Sequence, residues 1–357
     1  MVRTIGVAGT AKNTGKTTTI STLLRHISRR SNIKVGLTSI GYDGEEIDNI
    51  TGLVKPRLFL KAGNVVATAS KLINVGSAEL EIIKETQIFT PLGNVIIARV
   101  KKEGLVVVAG PNKSGELKKV VDVMIEKTGC DVVFVDGALN RIAPMAVAEG
   151  LIIATGAARN PDITELVRET RHLCDILDLN EAEESYRKLL QNVNTIAVVD
   201  KRGQISNYRY SALIHNDMVP ELMKIITEDA RAVYIPAAVS QPALEKLVDI
   251  IDDGLKDMII LLHDPIKLLV SASPGKIAGT IDKIKALKGR IEVLKKVPVL
   301  AVTVNPFYPR YMFDKNTYEP AYIDENLLKE EMQRALPLPV VNILKDGPDE
   351  IIKILRL

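Results

Sequence analysis

Gly9 and Gly15, with Lys16 and Thr17 directly behind the second glycine, are the residues whose types and spacing point most directly to chemistry. They lie in Thr4 to Ser21, which reads TIGVAGTAKNTGKTTTIS. A run of backbone N–H groups curling into a helix N-terminus is a dense set of donors, and the helix macrodipole favours anions there. Glycine lets such a backbone come close to its ligand. The combination suits a polyphosphate, with Lys16 reaching the β- and γ-phosphates and the Thr17 hydroxyl completing a Mg²⁺ shell. The expected nucleotide-binding set is therefore Gly9, Thr10, Lys12, Asn13, Thr14, Gly15, Lys16, Thr17 and Thr18, with Lys16 also catalytic and Thr17 a metal ligand.

A loop of this kind must hang between a strand and a helix. Ile5-Gly6-Val7-Ala8 is a short apolar run of the sort that forms a buried strand, and Ile20, Leu23, Leu24 and Ile27 follow at helical spacing. The strict loop pattern places Gly or Ala where this chain has Thr10. Further on, Asp131-Val132-Val133-Phe134-Val135-Asp136-Gly137 is an apolar strand closed by an acid, which places Asp136 beside magnesium opposite Thr17. Asn140 and Arg141 follow; Arg141 could meet a γ-phosphate or cap a helix.

A second strand over Lys34 to Ile40 ends in Gly41-Tyr42-Asp43-Gly44-Glu45-Glu46. An acidic cluster there is placed to touch Mg²⁺ and an attacking water. Asp43 is the expected catalytic and metal-binding residue, against the alternative of a merely hydrophilic loop. Late in the chain Pro298 to Val304 closes on Asn305, whose amide can donate and accept toward adenine. The Asn-Lys-x-Asp tetrad that reads guanine occurs nowhere in the chain. ATP and Mg²⁺ are thus the expected cofactors.

The form GTxxxxGKT resembles the dethiobiotin synthetase and cobyrinic acid synthase branch of P-loop proteins, within the SIMIBI class that also holds signal-recognition, chromosome-partitioning and metallochaperone NTPases. Dethiobiotin synthetases carry an acid after the Gly-Thr and partitioning ATPases a lysine five residues before the loop lysine; both positions are Ala11 here, with Lys12 one place late. GTAKNTGKTTT and VDGALNR are also similar to a subunit family of complexes that reactivate cobalamin-dependent lysine 5,6-aminomutase. These resemblances imply either an ATPase whose nucleotide state a partner reads, or a synthetase that phosphorylates a small carboxylate.

Composition narrows the fold. Apolar residues make up 46% of the 357, aromatics only 4%, and tryptophan is absent. A core built so largely of Ile, Leu and Val suits parallel sheets buried on both faces. The expected fold is α/β, a mostly parallel P-loop NTPase sheet flanked by helices, with an antiparallel β insertion at 54–110 and a C-terminal α/β extension. The expected division is a nucleotide-binding core over 1–150 and a C-terminal α/β portion over 151–357 that continues the sheet or packs on it. Strand-like runs Glu85 to Thr90, Val95 to Val100 and Leu105 to Ala109 are separated by hairpin-like turns at 91–94 and 101–104. The insertion is read either as the seat of partner or substrate specificity or as a structural edge ribbon.

With 47 basic against 44 acidic residues, the net charge of +3 is too balanced to indicate nucleic acid, and none is expected as a partner. Cys130 and Cys174 sit in no CxxC, so neither a disulfide framework nor a zinc site is expected. Cys174 follows His172 inside a helical pattern, which is no nucleophile elbow and disfavours a glutamine-using synthetase. His263-Asp264-Pro265 looks catalytic, although a lone histidine at a strand end is more often structural. No signal peptide or long apolar span is present, so a cytoplasmic protein without a membrane partner is expected. Three functions stay open: an ATPase coupled to a protein partner or acting as a homodimer, a synthetase using a small carboxylate through Lys55 and Arg57, and a nucleotide-binding scaffold without turnover.

Overall fold

The computed structural model describes residues 3–30, 33–43, 58–139, 142–270 and 272–357, without the side chains of residues 29, 30, 42 and 43. The chain divides into two compact units, Met1–Arg168 with Val299–Leu357, and Glu169–Pro298.

The first unit is built on a 9-stranded sheet. Its order is Val340–Val341, Val299–Asn305, Gly150–Gly156, Thr4–Gly9, Val132–Ala138, Val35–Ser39, Val65–Ala69, Gly93–Lys102 and Glu79–Thr90. All neighbours are parallel until Gly93–Lys102, which pairs antiparallel with Val65–Ala69 and forms a hairpin with Glu79–Thr90. Thr4–Gly9 lies at the centre and is buried along its whole length. Strands covered on both faces can be buried at every position, as Thr4–Gly9, Val35–Ser39 and Gly150–Gly156 are. Helix Lys16–Arg30 seats Ile20, Leu23, Leu24 and Ile27 in the same core, which fixes where its N-terminus points.

Strands of the 151–357 segment continue this sheet. Gly150–Gly156, Val299–Asn305 and Val340–Val341 all join the sheet that holds the glycine loop, and 169–298 is inserted between two of them. Periodicity identifies a buried parallel strand without saying which sheet it will join. The turn expected at 101–104 is corrected. Gly104–Val106 pairs antiparallel with Leu58–Leu60 rather than folding back on Gly93–Lys102. The turn at 91–94 is a hairpin, as expected.

The second unit has a 5-stranded sheet in the order Ile205–Asn207, Ala197–Asp200, Ala230–Ile235, Ile259–Leu262 and Arg290–Val293. The last three are parallel and are linked by helices Gln241–Ile251 and Pro274–Ala286. Ala232, Tyr234, Ile259 and Leu261 form part of its core. No helix among the described residues is long and apolar enough to cross a membrane.

Candidate functional site

At the carboxyl end of Thr4–Gly9 the chain curls through residues 10–15 and enters helix Lys16–Arg30. Asn13 takes φ +63° and Gly15 φ +87°, and it is these left-handed turns that fold the loop back over itself. The first helical hydrogen bond runs from Thr19 N to Gly15 O at 2.8 Å. N–H groups of the turn before it have no acceptor within the helix. Thr14 Oγ1 donates to Ala11 O at 2.9 Å and closes the curl from inside.

The departure at Thr10 has a structural reason. Its N–H donates to Ala154 O at 2.9 Å and its hydroxyl donates to Thr155 Oγ1 at 2.9 Å. The side chain is thus tied to the neighbouring strand, so a threonine can stand where the strict pattern wants Gly or Ala. Lys12 is exposed, and Thr17 and Thr18 lie half-buried on the first helical turn.

Lys16 and Asp136 meet here. Lys16 Nζ lies 2.7 Å from Asp136 Oδ1, with the lysine side chain 13% and the aspartate 2% exposed. Asp136 pairs in register with Val7, so the sheet itself carries the acid to the mouth of the loop. Charges this deeply buried are tolerated because each has the other. No group of three or more His, Cys, Asp or Glu able to hold a metal occurs among the described residues. Magnesium on a nucleotide needs less, one or two carboxylates with phosphate and water, and the Asp136 carboxylate with the Thr17 hydroxyl fits that donor set.

Asn305 is brought to the loop, where its amide is engaged at both ends. Its Nδ2 donates to Asn13 O at 2.9 Å and its Oδ1 accepts from Phe307 N at 3.2 Å. Asp43 lies in a short strand that pairs antiparallel with Val108; its side chain falls outside the described residues. So do Gly44 to Arg57, Asn140 and Arg141, and with them the acidic cluster and the basic pair expected to serve a synthetase.

The sequence reading missed the hydroxyls beneath the loop. Thr19 and Thr303 share a hydrogen bond of 3.0 Å between their Oγ1 atoms, both buried. Thr155 and Ser39 are buried near the carboxyl ends of two other strands of the same sheet. The legible signal was a Thr or Ser near the carboxyl end of the apolar runs 35–39, 151–155 and 299–304. A small cleft of about 30 Å³ beside the loop is lined by Thr18, Val304, Asn342, Ile343 and Leu344 among others, and none of these but Thr18 was anticipated.

The second candidate, His263 and Asp264, is built differently. Asp264 is fully buried, with Lys267 Nζ 3.1 Å from Oδ2. His263 Nδ1 and Tyr234 Oη share a hydrogen bond of 3.2 Å. Burial pushes the imidazole pKa below its usual range; the Lys267 and Lys295 cations add to this and Asp264 opposes it. Burial, helped by Asp264, lifts the Tyr234 phenol to about 12. The thiols are inert too, since burial raises Cys130 and drives Cys174 up to about 12.

No protein-family model matches the chain, and no curated protein does. Solved structures it is similar to include the crystal structure of a ParA family ATPase from Chlorobium tepidum TLS, at 12% identity over 100% of both chains with a TM-score of 0.27. Another is a structure of pNOB8 ParA bound to nonspecific DNA, at 10% identity over 79% of this chain and 99% of that one, with a TM-score of 0.25. Against the expectation that nucleic acid plays no part, the second is a complex with DNA. Charge balance over a whole chain does not exclude such a partner. Likeness at these TM-scores carries no weight of its own. The strand, curled glycine loop and helix on a mostly parallel sheet make this a P-loop nucleotide-binding fold.

Proposed function

We propose that the chain binds ATP with Mg²⁺ at the Gly9–Thr18 loop and hydrolyses it, and that a partner protein reads its nucleotide state. The observation that carries this reading is the Lys16–Asp136 pair, which joins the two motif residues at the mouth of the curled loop. Loop N–H groups and Lys16 hold phosphate oxygens. Thr17 and Asp136 hold the cation, which neutralises phosphate charge when bound. Asp43 positions the attacking water. Coupling to a partner is favoured over glutamine-dependent synthesis because both thiols are buried and held protonated, so neither can serve as the nucleophile.

The test is ATP affinity by calorimetry and turnover with Mg²⁺, for the protein alone, with duplex DNA and with small carboxylates. Asp43→Asn should leave ATP bound and slow hydrolysis on the order of a hundredfold. Absence of ATP binding overturns the proposal. ATP consumed only with a carboxylate, to give a phosphorylated or ligated product, replaces the ATPase reading with a synthetase.

A further inference from the structure

The strand that ends at Asn305 runs straight into a hairpin, Phe307–Met312 paired antiparallel with Thr317–Tyr322. In a chain so poor in aromatics, Phe307, Tyr308, Tyr311, Phe313, Tyr318 and Tyr322 all fall here. Their rings stack edge to face, Phe307 on Tyr322 and Tyr311 on both Phe313 and Tyr318. Phe313 at the tip is 90% exposed and Tyr322 68%. The hairpin forms a sheet of its own with no strand of the 9-stranded sheet beside it. Its root is closed by Ile323 N donating to Pro306 O at 3.0 Å and by Phe307 N donating to Asn305 Oδ1.

Asn305 therefore touches two things at once. One end of its amide holds the carbonyl of Asn13, at the left-handed turn of the phosphate loop, and the other holds the first amide of the hairpin. Its Cβ also lies where a Cβ on Gly15 would meet it at 3.4 Å. The backbone of Asn305 is pinned. Ala157 N donates to its carbonyl at 2.9 Å, and a Cβ on Gly156 would lie 2.1 Å from that same oxygen. A carboxamide is planar, so the directions of its donor and acceptor are locked together. If the Asn13 carbonyl moves and the amide turns to follow it, Oδ1 is carried away from the Phe307 N–H.

We propose that Asn305 is a positioning residue that couples the phosphate loop to the aromatic hairpin, so that nucleotide bound at the loop resets the hairpin 307–322. The hairpin is then the surface through which the nucleotide state is displayed. This rests on the ATP reading of the loop, and the test separates the two.

Hydrogen exchange of the Phe307 amide in the unaltered chain, with and without saturating ATP and Mg²⁺, should differ at least about fivefold, the low end of ordinary coupling between sites. Because the chain has no tryptophan, Phe313→Trp supplies a single reporter at the tip. Its iodide quenching should respond to ATP, and adding Asn305→Ala should abolish the response while calorimetry still detects ATP binding. If the unaltered chain binds no ATP, the reading of the loop fails and the coupling falls with it. If ATP binds but Phe307 protection is unchanged, or the tip still responds after Asn305→Ala, the coupling is wrong and the loop reading stands. Should Asn305→Ala fail to fold, the exchange measurement decides alone.

Discussion

Asp136 and Asp264 occupy the same kind of place, each closing a buried apolar strand of a parallel sheet, and each is buried with a lysine beside it. What surrounds them differs. Asp136 meets a lysine from another element, delivered by a loop whose left-handed turns bring N–H groups to the same mouth. Asp264 meets Lys267 of its own next turn, which opens on Pro265 and so lacks a donor at its first position. An acid at a strand end becomes a site when a second chain segment curls over it; otherwise it is a neutralised piece of core. By this measure the first unit holds the candidate site and the second holds a buried pair.

Breaking the pair at the loop should have the largest effect, because it removes both a phosphate ligand and the partner of a buried carboxylate. Lys16→Ala should abolish measurable ATP binding and destabilise the fold by about 3–5 kcal/mol, the usual cost of orphaning a buried charge. In the double variant Lys16→Ala with Asp136→Asn, most of the stability should return without the binding, as read by urea unfolding and calorimetry. Recovery of both would mean that Lys16 acts only as a counter-ion.

Lys267→Ala breaks the corresponding pair of the second unit, and it sharpens the contrast. Stability should fall by a similar few kcal/mol, about 3 or more. ATP affinity and turnover, measured below the unfolding transition, should stay at their original values. A large loss of ATP affinity there would put Asp264 in the functional machinery and erase the distinction between the two ends.

Thr19→Val probes what supports the loop rather than what acts in it. The isosteric change leaves the buried Thr303 hydroxyl without its partner and should cost about 1–3 kcal/mol. ATP affinity should change little, since the hydroxyl faces Thr303 beneath the helix.

Much of the first site was legible. The glycine loop, Lys16, the helix stripe from Ile20 to Ile27 and the acid-closed strand at Asp136 are patterns that short-range physics imposes, and each lies where it was expected. What could not be read depends on long-range pairing. Nothing in the apolar run of Val65–Ala69 sets it apart from loop-flanking core, and it is placed by pairing with Val35–Ser39 on one side and Gly93–Lys102 on the other. The hairpin at 307–322 was hidden by Pro309 and Pro320, residues that argue against a strand. They lie directly opposite each other in a two-stranded ribbon to which, among the described residues, no third strand pairs to need their missing N–H groups. The tie of Asn305 to the hairpin was not legible for the same reason, since the Phe307 amide that donates to its Oδ1 belongs to that hairpin.

The smallest expected effect is a pH dependence that marks the second unit as structure. His263 is held neutral in the fold by burial and by the nearby Lys267 and Lys295 cations, against the pull of Asp264, so its folded pKa lies below the unfolded value of about 6.5. Above that value both states carry a neutral imidazole and the group adds nothing to the balance. As pH falls through it, the unfolded chain takes up a proton first and stability is lost, until the folded pKa is also passed and the loss levels off. Other groups titrate over the same range, so the useful quantity is the difference between the unaltered protein and His263→Gln, compared by urea midpoints at about pH 7.5 and about pH 5.5. The unaltered protein should lose more on acidification than the variant does, while ATP affinity changes equally in both. Equal losses of stability would show that His263 is not held neutral, and a selective loss of ATP affinity in His263→Gln would move this end of the second sheet from core to site.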